Sequence, residues 1–437
     1  MNESSESPPS TSRRNFLKTS GTAVGGVFAL NLALPARTLA AAGDPLKVGL
    51  VGCGGRGTGA ASQALKADKN TILTAVADTF KEQCEASVRS LKNDAALSER
   101  VAVTSDTMFV GLEAFQKLID SGVDVVLLAS PPGFRPQHLK AAVAAGKHIF
   151  CEKPMATDSP GVRSVLESVT VARQKKLALV AGFCWRYEYG RREFYQRIHD
   201  GAIGDVRAVY ATYLTGPVKP MPPADKRPAG MGDVEWQVRN WYNFTWLSGD
   251  GLVEQACHSI DKIAWAMNGM LPVRAVGNGG RQIPNHEGNI FDHLDVFYEY
   301  ENGARAFMAQ RQIAGCYSDN SDYLLGATGT GTIKGGNEPV IKGRETWRYR
   351  GEKNDMYQTE HNELFASIRK GEPINNGVWM AHSTLMAIMG RTAAYTGQEI
   401  TWEQAMNAQE ELVPDNLTWE TNFPLRPMAT PGKTKAA

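Results

Sequence analysis

The sequence predicts an α/β protein with a doubly wound parallel sheet, followed by a second α/β domain. Three observations predict this fold class. Short apolar runs alternate with helix-forming segments in the first part of the chain, which indicates repeated βα units. A glycine-rich turn lies between the first apolar run and the first helical segment. From Asp295 onward, apolar and polar residues alternate, which predicts antiparallel strands with one buried face.

Residues 1–42 have the layout of a removable export signal. Arg13 and Arg14 form a twin-arginine pair, a weakly hydrophobic uncharged stretch follows, and small residues around Ala40 suit signal peptidase. The stretch is too short and too mild for a stable membrane span. Because twin-arginine signals are receptor-read addresses, we expect the Tat export machinery as a partner and a periplasmic or otherwise exported location. The alternative is a disordered basic tail beside a chance apolar run.

Length, charge and cysteine content limit the domain organisation and the ligand class that can be expected of the remaining chain. The 437 residues carry 47 Lys and Arg against 46 Asp and Glu, so no basic surface for nucleic acid is expected. We predict a Rossmann-type domain over 43–157, a second domain over 158–423 and a flexible tail over 424–437. The six cysteines form no CxxC pair and are predicted to be free core thiols, although an exported protein has the opportunity to form a disulfide.

The glycine-rich turn follows the apolar run Leu46–Val51, which is typical of a buried parallel strand. Gly52-x-Gly54-x-x-Gly57 then opens a helical segment. In such a turn the first glycine permits a tight bend, the second lets a pyrophosphate approach the backbone, and the third allows close helix–strand packing. The pattern predicts a dinucleotide-binding Rossmann domain.

A carboxylate ends the second predicted strand. Thr71–Ala77 is followed by Asp78, where a Rossmann domain places the acceptor for the adenosine ribose hydroxyls. An acidic residue there favours NAD and disfavours NADP, because it repels a 2′-phosphate. The alternative is that Asp78 only caps the next helix.

The alternation continues to the end of the first domain. Ligands of parallel sheets lie beyond the carboxyl ends of the strands, so we expect the residues that follow each strand to face the cofactor. The predicted elements are a helix at Met108–Ser121, a strand at Val123–Ala129, a helix at Pro136–Ala145 and a strand at His148–Cys151. The predicted cofactor contacts are Gly52, Gly54, Gly55, Arg56, Gly57, Asp78, Ser130, Glu152 and Lys153.

Three further motifs carry a family resemblance: Glu152-Lys153-Pro154 after an Ala-Gly-Lys-His strand, Gly201–Val206 before a strand, and Glu254–Asp261 (EQACHSID). With the glycine-rich turn, they resemble the glucose–fructose oxidoreductase / inositol dehydrogenase / MocA (Gfo/Idh/MocA) family over most of the chain. The resemblance implies a second domain with an open, mostly antiparallel sheet that covers the cofactor and often makes oligomer contacts. It also implies a homo-oligomer and a sugar or polyol substrate.

The resemblance places Lys153 near the nicotinamide and the substrate. When a secondary alcohol is oxidised, the hydroxyl proton must leave as hydride moves to the nicotinamide. A lysine at its reference pKa of about 10.4 is a poor base, so we expect burial beside a cationic nicotinamide to lower that pKa. The alternative is a surface lysine at a strand end.

The second predicted catalytic group is His258, a proton donor or acceptor, with Glu254 in place of the family's aspartate. We expect Glu254, His258 and Asp261 on one helical face. Glu254 contacts substrate, orients His258, or does neither. A histidine on an apolar helix is otherwise a core residue. A zinc or manganese site at these three residues is a weaker alternative, since no second histidine clusters with them, and no metal is predicted.

Trp185, Arg186 and Tyr187 are predicted to contact the substrate together with Asp261, because aromatic faces and a guanidinium suit a sugar. Alternatively, the aromatics fill the interdomain core. The long stretch between Thr215 and Asp250, rich in Pro, Gly and Trp, is predicted to be irregular and to act as a lid or a carbohydrate platform, or to pack on another subunit.

The sequence as a whole predicts an exported NAD-dependent oxidoreductase that acts on a carbohydrate or polyol hydroxyl. Since free NAD is not available outside the cytoplasm, the cofactor is expected to be tightly bound and internally recycled. One alternative is an NAD-dependent glycosidase or epimerase that oxidises its sugar transiently. The other is a non-catalytic sugar-binding protein that retains NAD.

Overall fold

Two sheets organise the part of the chain that the computed structural model describes, residues 44–283, 286–335 and 338–435. The export signal predicted for residues 1–42 lies outside these residues. Within them, no helix combines the length and the apolar character needed to cross a membrane.

The first sheet has six parallel strands in the order β3-β2-β1-β4-β5-β6. This is the strand order of a Rossmann domain, which confirms the predicted fold. Every residue of β4 and β5 is buried, because helices cover both faces of a parallel sheet. The strands are β1 (Leu46–Val51), β2 (Thr71–Asp78), β3 (Met108–Val110), β4 (Val125–Leu128), β5 (His148–Cys151) and β6 (Leu179–Ala181). The helices are α1 (Gly55–Ala67), α2 (Lys81–Lys92), α3 (Ala114–Asp120), α4 (Arg135–Ala144) and α5 (Ser159–Gln174).

The helix predicted over Met108–Ser121 is wrong in its first half. Met108–Val110 forms the edge strand β3, which pairs with the end of β2. The chain then turns at Gly111, whose φ of +115° lies in the region that favours glycine, and α3 begins only at Ala114. A short aromatic and β-branched run satisfies the open edge of β2 better as a strand than as the start of a helix.

The second sheet has nine strands in the order β14-β13-β12-β11-β7-β10-β9-β8-β15. Only β7 and β10 run parallel; the other neighbours pair antiparallel, as expected. The strands are β7 (Val206–Thr215), β8 (Arg274–Gly280), β9 (His293–Glu299), β10 (Arg305–Gln312), β11 (Ser321–Gly326), β12 (Thr330–Lys334), β13 (Val340–Lys342), β14 (Thr346–Arg348) and β15 (Ile400–Thr401).

Helices pack on the second sheet and join it to the first domain. The longest, α12, is apolar on most sides and is buried because β8, α5 and α10 surround it. The helices are α6 (Tyr189–His199), α7 (Asp233–Arg239), α8 (Thr245–Ser248), α9 (Gly251–Glu254), α10 (Cys257–Ala266), α11 (Met356–Lys370), α12 (Gly377–Thr396) and α13 (Trp402–Asn407).

Residues 216–250, here called the excursion, are more regular than predicted, since they contain α7 and α8. Their apolar side chains pack with residues 409–425, here called the strap, into a second core cluster. Its buried members are Phe134, Met221, Val234, Trp236, Val238, Phe244, Trp246, Leu247 and Leu412.

Several described residues of the segment 424–437, which is predicted to be a flexible tail, contact the rest of the chain. Leu425 packs against the second core cluster, and Met428 against the main core. The backbone N–H of Gly432 donates to the carbonyl of Thr396 at 2.8 Å. These contacts could not be predicted from a composition rich in Pro, Lys and Thr, because the segment packs against parts of the chain that are distant in sequence.

All six cysteines are free, as predicted. Five are buried core thiols. Cys316 is the exception to the predicted location, since it is exposed.

Candidate active site

A cleft of about 670 Å³ lies along the carboxyl ends of the parallel strands and is closed on its other side by the second domain. The glycine-rich turn, Asp78, Ser130, Glu152 and Lys153 line its first wall, so the strand-end residues come together as predicted. The second wall contains Tyr213, Glu254, Gln255 and His258, together with residues of the excursion.

The geometry of the turn fits a dinucleotide. Gly52 has a φ of +94°, and a Cβ atom there would lie 2.4 Å from the backbone nitrogen of Ser130. A Cβ atom on Gly57 would lie 1.8 Å from the carbonyl oxygen of Gly52. Cβ atoms on Gly54 and Gly55 would meet nothing within 4 Å, so these positions face open space at the start of α1. The turn therefore leaves room at a helix N-terminus, where backbone N–H groups bind phosphate.

Asp78 lines the cleft at the end of β2. Its carboxylate accepts hydrogen bonds from the backbone N–H of Cys53 at 2.7 Å and of Phe80 at 3.0 Å, and from the Thr79 hydroxyl at 3.2 Å. Burial raises the pKa of Asp78, although these hydrogen bonds oppose the shift. Helix α2 has Phe80 as its N-cap and no side-chain cap, so Asp78 does not serve as the N-cap residue.

Arg56 braces the turn instead of projecting freely toward a ligand. Its guanidinium hydrogen-bonds to Glu152 and lies 3.6 Å from Glu360, and the Tyr357 ring lies 5.0 Å away. Glu360 is fully buried, and burial, with Glu152 next, raises its pKa. Arg56 thus ties the glycine-rich turn to the end of β5 and to α11.

Lys153 and Glu254 form an ion pair between the two walls. The Lys153 ammonium lies 3.0 Å from Glu254 Oε1 and also donates to the Glu254 carbonyl; each side chain is 9% exposed. Burial lowers the pKa of Lys153, but Glu254, Tyr213 and other nearby acidic groups raise it more, so the net shift is upward. The sequence predicts a lowered pKa for Lys153, whereas the protein's own groups raise it.

His258 lines the cleft and is uncharged at neutral pH. Burial lowers its pKa well below the ordinary value, and the charges of Lys153 and Lys262 lower it further. Its ring centroid lies 5.1 Å from that of Trp185 and 6.2 Å from that of Phe183. Among the described residues, no side chain hydrogen-bonds to the His258 ring, so both ring nitrogens remain free for other partners.

The single helical face expected for Glu254, His258 and Asp261 does not form. Helix α9 ends at Glu254 and α10 begins at Cys257, so the helix is interrupted between the two acidic residues. Glu254 binds Lys153 and does not orient His258. In the parts of the chain described, no group of three His, Cys, Asp or Glu side chains could hold a metal ion.

Three of the four predicted substrate contacts lie outside the cleft. Asp261 accepts two hydrogen bonds from Arg186, at 2.8 and 2.9 Å, and a third from Ser383 at 2.7 Å. The Tyr187 hydroxyl donates to Asn376 at 2.9 Å. These hydrogen bonds hold Arg186, Tyr187 and Asp261 away from the cleft, and of the predicted set only Trp185 lines it.

Two residues that the sequence analysis did not identify, Tyr213 and Gln255, hold Glu254 through a chain of hydrogen bonds. The Tyr213 hydroxyl donates to Gln255 Oε1 at 2.8 Å, and Gln255 Nε2 donates to Glu254 Oε2 at 2.6 Å. Gln255 lies at the interruption between α9 and α10, which turns it toward the end of β7. A helix-breaking signal is absent from the sequence there, so these residues could not be found from periodicity.

Excursion residues complete the cleft near Asp78. Lys219, Arg239 and Trp241 line it, and the charge of Asp78 acts on the pKa of Lys219, which burial lowers overall. Arg239 lies 3.9 Å over the Phe80 ring and pairs with Glu82 at 2.9 Å. The basic and aromatic composition of this stretch was visible in the sequence, but its position over the first domain was not.

Two models of one protein family match the chain. Residues 46–183 match the model of the GFO/IDH/MocA oxidoreductase family with an NAD-binding Rossmann fold, and residues 192–331 match that of the family's C-terminal domain. A dTDP-3,4-didehydro-2,6-dideoxy-alpha-D-glucose 3-reductase of Actinomadura kijaniata is 26% identical over 196 residues, covering 45% of this chain and 50% of the relative. Inositol 2-dehydrogenase 3 of Saccharopolyspora erythraea is 28% identical over 222 residues, covering 50% of this chain and 56% of the relative.

The match to these two relatives thus spans only about half of their length. A solved structure of an aldose-aldose oxidoreductase from Caulobacter crescentus, complexed with glycerol, has the same fold, with 18% identity and a TM-score of 0.63 over 82% of this chain and 99% of that one. The glycine-rich turn, the Rossmann strand order and the two matched domains lead to one conclusion: the chain belongs to the GFO/IDH/MocA oxidoreductase family, and its first domain is an NAD-binding Rossmann domain.

Proposed function

We propose that the protein is an exported NAD-dependent oxidoreductase that acts on a secondary hydroxyl of a carbohydrate or cyclic polyol, and that it retains its cofactor between turnovers. One observation carries the proposal: Lys153 and His258 line the same cleft as the glycine-rich turn and Asp78. The curated relatives include an inositol dehydrogenase and a reductase of a nucleotide-linked sugar, which supports this substrate class.

NAD, when bound, supplies the hydride acceptor. The protein's own groups stabilise the substrate oxygen and accept its proton. An ammonium carries three N–H donors, and Lys153 uses two of them on Glu254, so one remains for a substrate oxygen. The raised pKa of Lys153 keeps it cationic, which suits it to stabilise negative charge on that oxygen. The uncharged His258 is then the group able to accept the hydroxyl proton.

The substrate end of the cleft has the composition that a polyhydroxylated ring requires. Trp185 offers an apolar face next to His258, while Tyr213 and Gln255 offer polar groups that also line the cleft. Aromatic faces bind the C–H surface of such rings, and the polar groups bind their hydroxyls. Trp185 is the one residue of the predicted substrate set that we retain.

Retention of the cofactor is supported by what covers the Asp78 end of the cleft. Arg239 reaches from the excursion to Phe80 and Glu82 in the first domain. The strap adds Trp419, whose ring centroid lies 5.9 Å from that of Phe80. Excursion and strap are joined in turn by a 2.9 Å hydrogen bond from Gln237 to the carbonyl of Phe423. A nucleotide that leaves must displace several of these contacts, so we expect slow release.

A retained cofactor suits an exported protein, because it can be reduced by one substrate and reoxidised by another without leaving. The twin-arginine pair Arg13–Arg14 supports export through the Tat machinery, a route for folded proteins. The same retention suits a redox-neutral cycle, in which a sugar is oxidised, loses its glycosidic oxygen or inverts a centre, and is reduced again. A non-catalytic NAD-holding role is less favoured, because it leaves the Lys153–Glu254 pair and His258 without a task.

The homo-oligomer remains part of the proposal. One face of the nine-stranded sheet exposes large apolar side chains, among them Tyr210, Val276, Phe297 and Leu325. Contiguous exposed apolar surface of this kind marks interaction sites. Light scattering of the purified protein should give a multiple of the chain mass, and a monomer at micromolar concentration would contradict the oligomer.

The decisive test of function uses the purified protein. It is denatured to release and quantify NAD(H), and native protein is then followed at the nicotinamide absorbance while single sugars, sugar pairs and aryl glycosides are added. Reduction by one sugar and reoxidation by a second indicates transfer, whereas release of aglycone indicates the glycosidase. Absence of bound nucleotide together with failure to bind added NAD would overturn the proposal. Replacing Arg13 and Arg14 by lysine tests export, which should fail in that variant.

A further inference from the structure

A buried ion pair lies directly behind the substrate end of the cleft. Lys262 on α10 and Asp322 on β11 are 2.7 Å apart, and each side chain is only 1% exposed. Removing two charges from water is unfavourable, and apolar residues of the same volume often serve a fold at least as well. Stability alone therefore does not account for this pair.

The cation contacts a residue of the cleft. Lys262 Nζ lies 3.9 Å from the centre of the Trp185 ring, and the Arg191 guanidinium lies 5.0 Å from it. Cations at these distances attract the face of an indole, most strongly where water is excluded. Trp185 in turn contacts the His258 ring, with centroids 5.1 Å apart. Lys262 also follows His258 by one helical turn on α10, so the two side chains share a helix face.

We propose that Lys262 is a positioning residue of the catalytic centre: its buried ammonium, held by Asp322, fixes Trp185 beside His258 and keeps the His258 imidazole uncharged and ready to accept the substrate proton. This inference rests on the proposed function for the role of His258. The contact of Lys262 with Trp185 and its effect on His258 stand independently of which substrate is used.

Near His258, the positive charges are not balanced by negative charges, and this excess of positive charge keeps the imidazole neutral. Four cationic groups each lower its pKa, after the larger effect of burial: Lys153, Lys262, Arg56 and Arg191. The neighbouring carboxylates are bound elsewhere: Glu254 pairs with Lys153, Asp261 with Arg186, and Asp322 with Lys262.

Lys262 remains cationic over the range in which a histidine ordinarily titrates. Burial lowers its pKa to about 8, with Asp322 opposing the shift, so it is protonated at neutral and acid pH. A proton added to His258 below neutral pH therefore meets a charged Lys262. The lysine penalises the imidazolium where an ordinary histidine would begin to charge.

The test measures the charge on His258 directly. In NAD-bound protein with isotope-labelled histidine, NMR follows the His258 ring, assigned with His258→Gln, as pH is varied. Lys262→Met combined with Asp322→Asn removes the pair without leaving one buried charge alone. The His258 pKa should rise in this variant, and Lys262→Arg, which keeps a cation, should leave it low. The surface pair Lys353–Glu338, 2.8 Å apart, provides the control Lys353→Met with Glu338→Gln, which should change nothing.

The pH dependence of activity provides a second test of the proposal. If a substrate has been found, the rate of reduction of bound NAD in the double variant should fall about tenfold at acid pH relative to wild type, yet stay within about twofold above pH 8, where His258 is neutral in either protein. A uniform loss at all pH values indicates a purely structural role and overturns the proposal.

Two outcomes of the titration are contrary to the proposal: an unchanged His258 pKa in the folded double variant, or a rise in Lys262→Arg as large as in the double variant. If the double variant does not fold, Lys262→Gln replaces it, since its amide can still hydrogen-bond to Asp322, and the same two outcomes apply. Because the titration needs no substrate and is repeated on nucleotide-free protein, failure of the proposed function leaves this result interpretable.

Discussion

Lys153 and Glu254 form a buried ion pair, 3.0 Å long, that joins the end of β5 in the first domain to the end of α9 in the second. The pair explains why the lysine stays cationic despite burial, because Glu254 is the foremost of the groups that raise its pKa. In the proposed mechanism, the uncharged His258 is therefore the proton acceptor. The Tyr213–Gln255 chain holds the carboxylate from behind.

Lys153→Met should abolish turnover and leave NAD bound. The methionine fills the space of the lysine stem but supplies neither charge nor a donor to the substrate oxygen. Nucleotide content after denaturation and the rate of nicotinamide reduction measure the two effects separately. Lys353→Met is a matched control at an exposed site. Full activity of Lys153→Met would remove the lysine from the mechanism.

Glu254→Gln should lower the pKa of Lys153, because the group that most raises it is lost while burial, which lowers it, remains. The basic limb of the pH–rate profile, where Lys153 must stay protonated, should therefore move to lower pH. The rate at neutral pH should fall by about tenfold or more, as for loss of one preorganised electrostatic contact. Glu254→Asp, which restores the charge, should recover part of the profile. A basic limb that does not move in Glu254→Gln would show that the pair does not govern Lys153.

Two glycines of the turn should differ sharply when replaced by alanine. Gly57→Ala places a Cβ atom against the Gly52 carbonyl and should destabilise the nucleotide-free fold. Gly54→Ala meets nothing in the protein, so stability should hold while NAD binding weakens, because the methyl group enters the space of the cofactor. Thermal melts with and without NAD distinguish the two. Equal melting temperatures of the two variants without NAD would contradict this assignment.

Asp78→Ala should weaken NAD binding by about 1.5–3 kcal/mol, the usual worth of hydrogen bonds to a charged group. The preference for NAD over NADP should also narrow, because the carboxylate no longer repels a 2′-phosphate and Lys219 lies nearby. Calorimetric titration with both nucleotides measures the change. Asp106→Ala, at an exposed site of the same domain, is the control and should bind as wild type. An unaltered ratio of the two affinities would refute the role of Asp78 in cofactor choice.

Arg239→Ala should speed release of bound NAD by about tenfold, since it removes both the contact with Phe80 and the pair with Glu82, each worth about 1 kcal/mol or less. Trp419→Ala should act in the same direction from the strap. Chasing labelled NAD with excess unlabelled nucleotide measures the rate. Arg197→Ala, a surface arginine on α6 that pairs with Glu193, should release NAD at the wild-type rate. Unchanged release in both cleft variants would show that excursion and strap do not retain the cofactor.

Much of the first domain was predictable because its signals are local. A buried parallel strand must be apolar along its length, and the turn after β1 requires glycine where a Cβ atom would strike backbone, so Leu46–Val51 and Gly52–Gly57 were identified correctly. Asp78 followed from its place at the end of the second strand, where a Rossmann domain has its ribose acceptor. Lys153 also follows a strand end, and the family resemblance implied its role. The family resemblance rested on this part of the chain together with two motifs of the second domain, Gly201–Val206 and Glu254–Asp261.

The site in the second domain was less predictable because its contacts are long-range. Arg186, Tyr187 and Asp261 have the chemistry of sugar-binding residues, yet Arg186 and Asp261 satisfy each other and Tyr187 bonds to Asn376. The interruption at Gln255 altered the expected helical face. The residue types at these positions do not predict the partners of Arg186, Tyr187 and Asp261 or the helix interruption. Both depend on which distant side chains the fold brings into contact with them.

The sequence by itself determined the Rossmann architecture and the cofactor class, because periodicity, glycine requirements and strand-end placement are properties of neighbouring residues. Its motifs pointed to Lys153 and His258 through the family resemblance. Only the tertiary structure decided that Glu254 holds Lys153, that Lys262 lies behind Trp185, and that the strap reaches Phe80. The physical reason is that a buried charge takes whichever partner the folded chain brings within hydrogen-bonding distance, and that partner is usually far away in sequence.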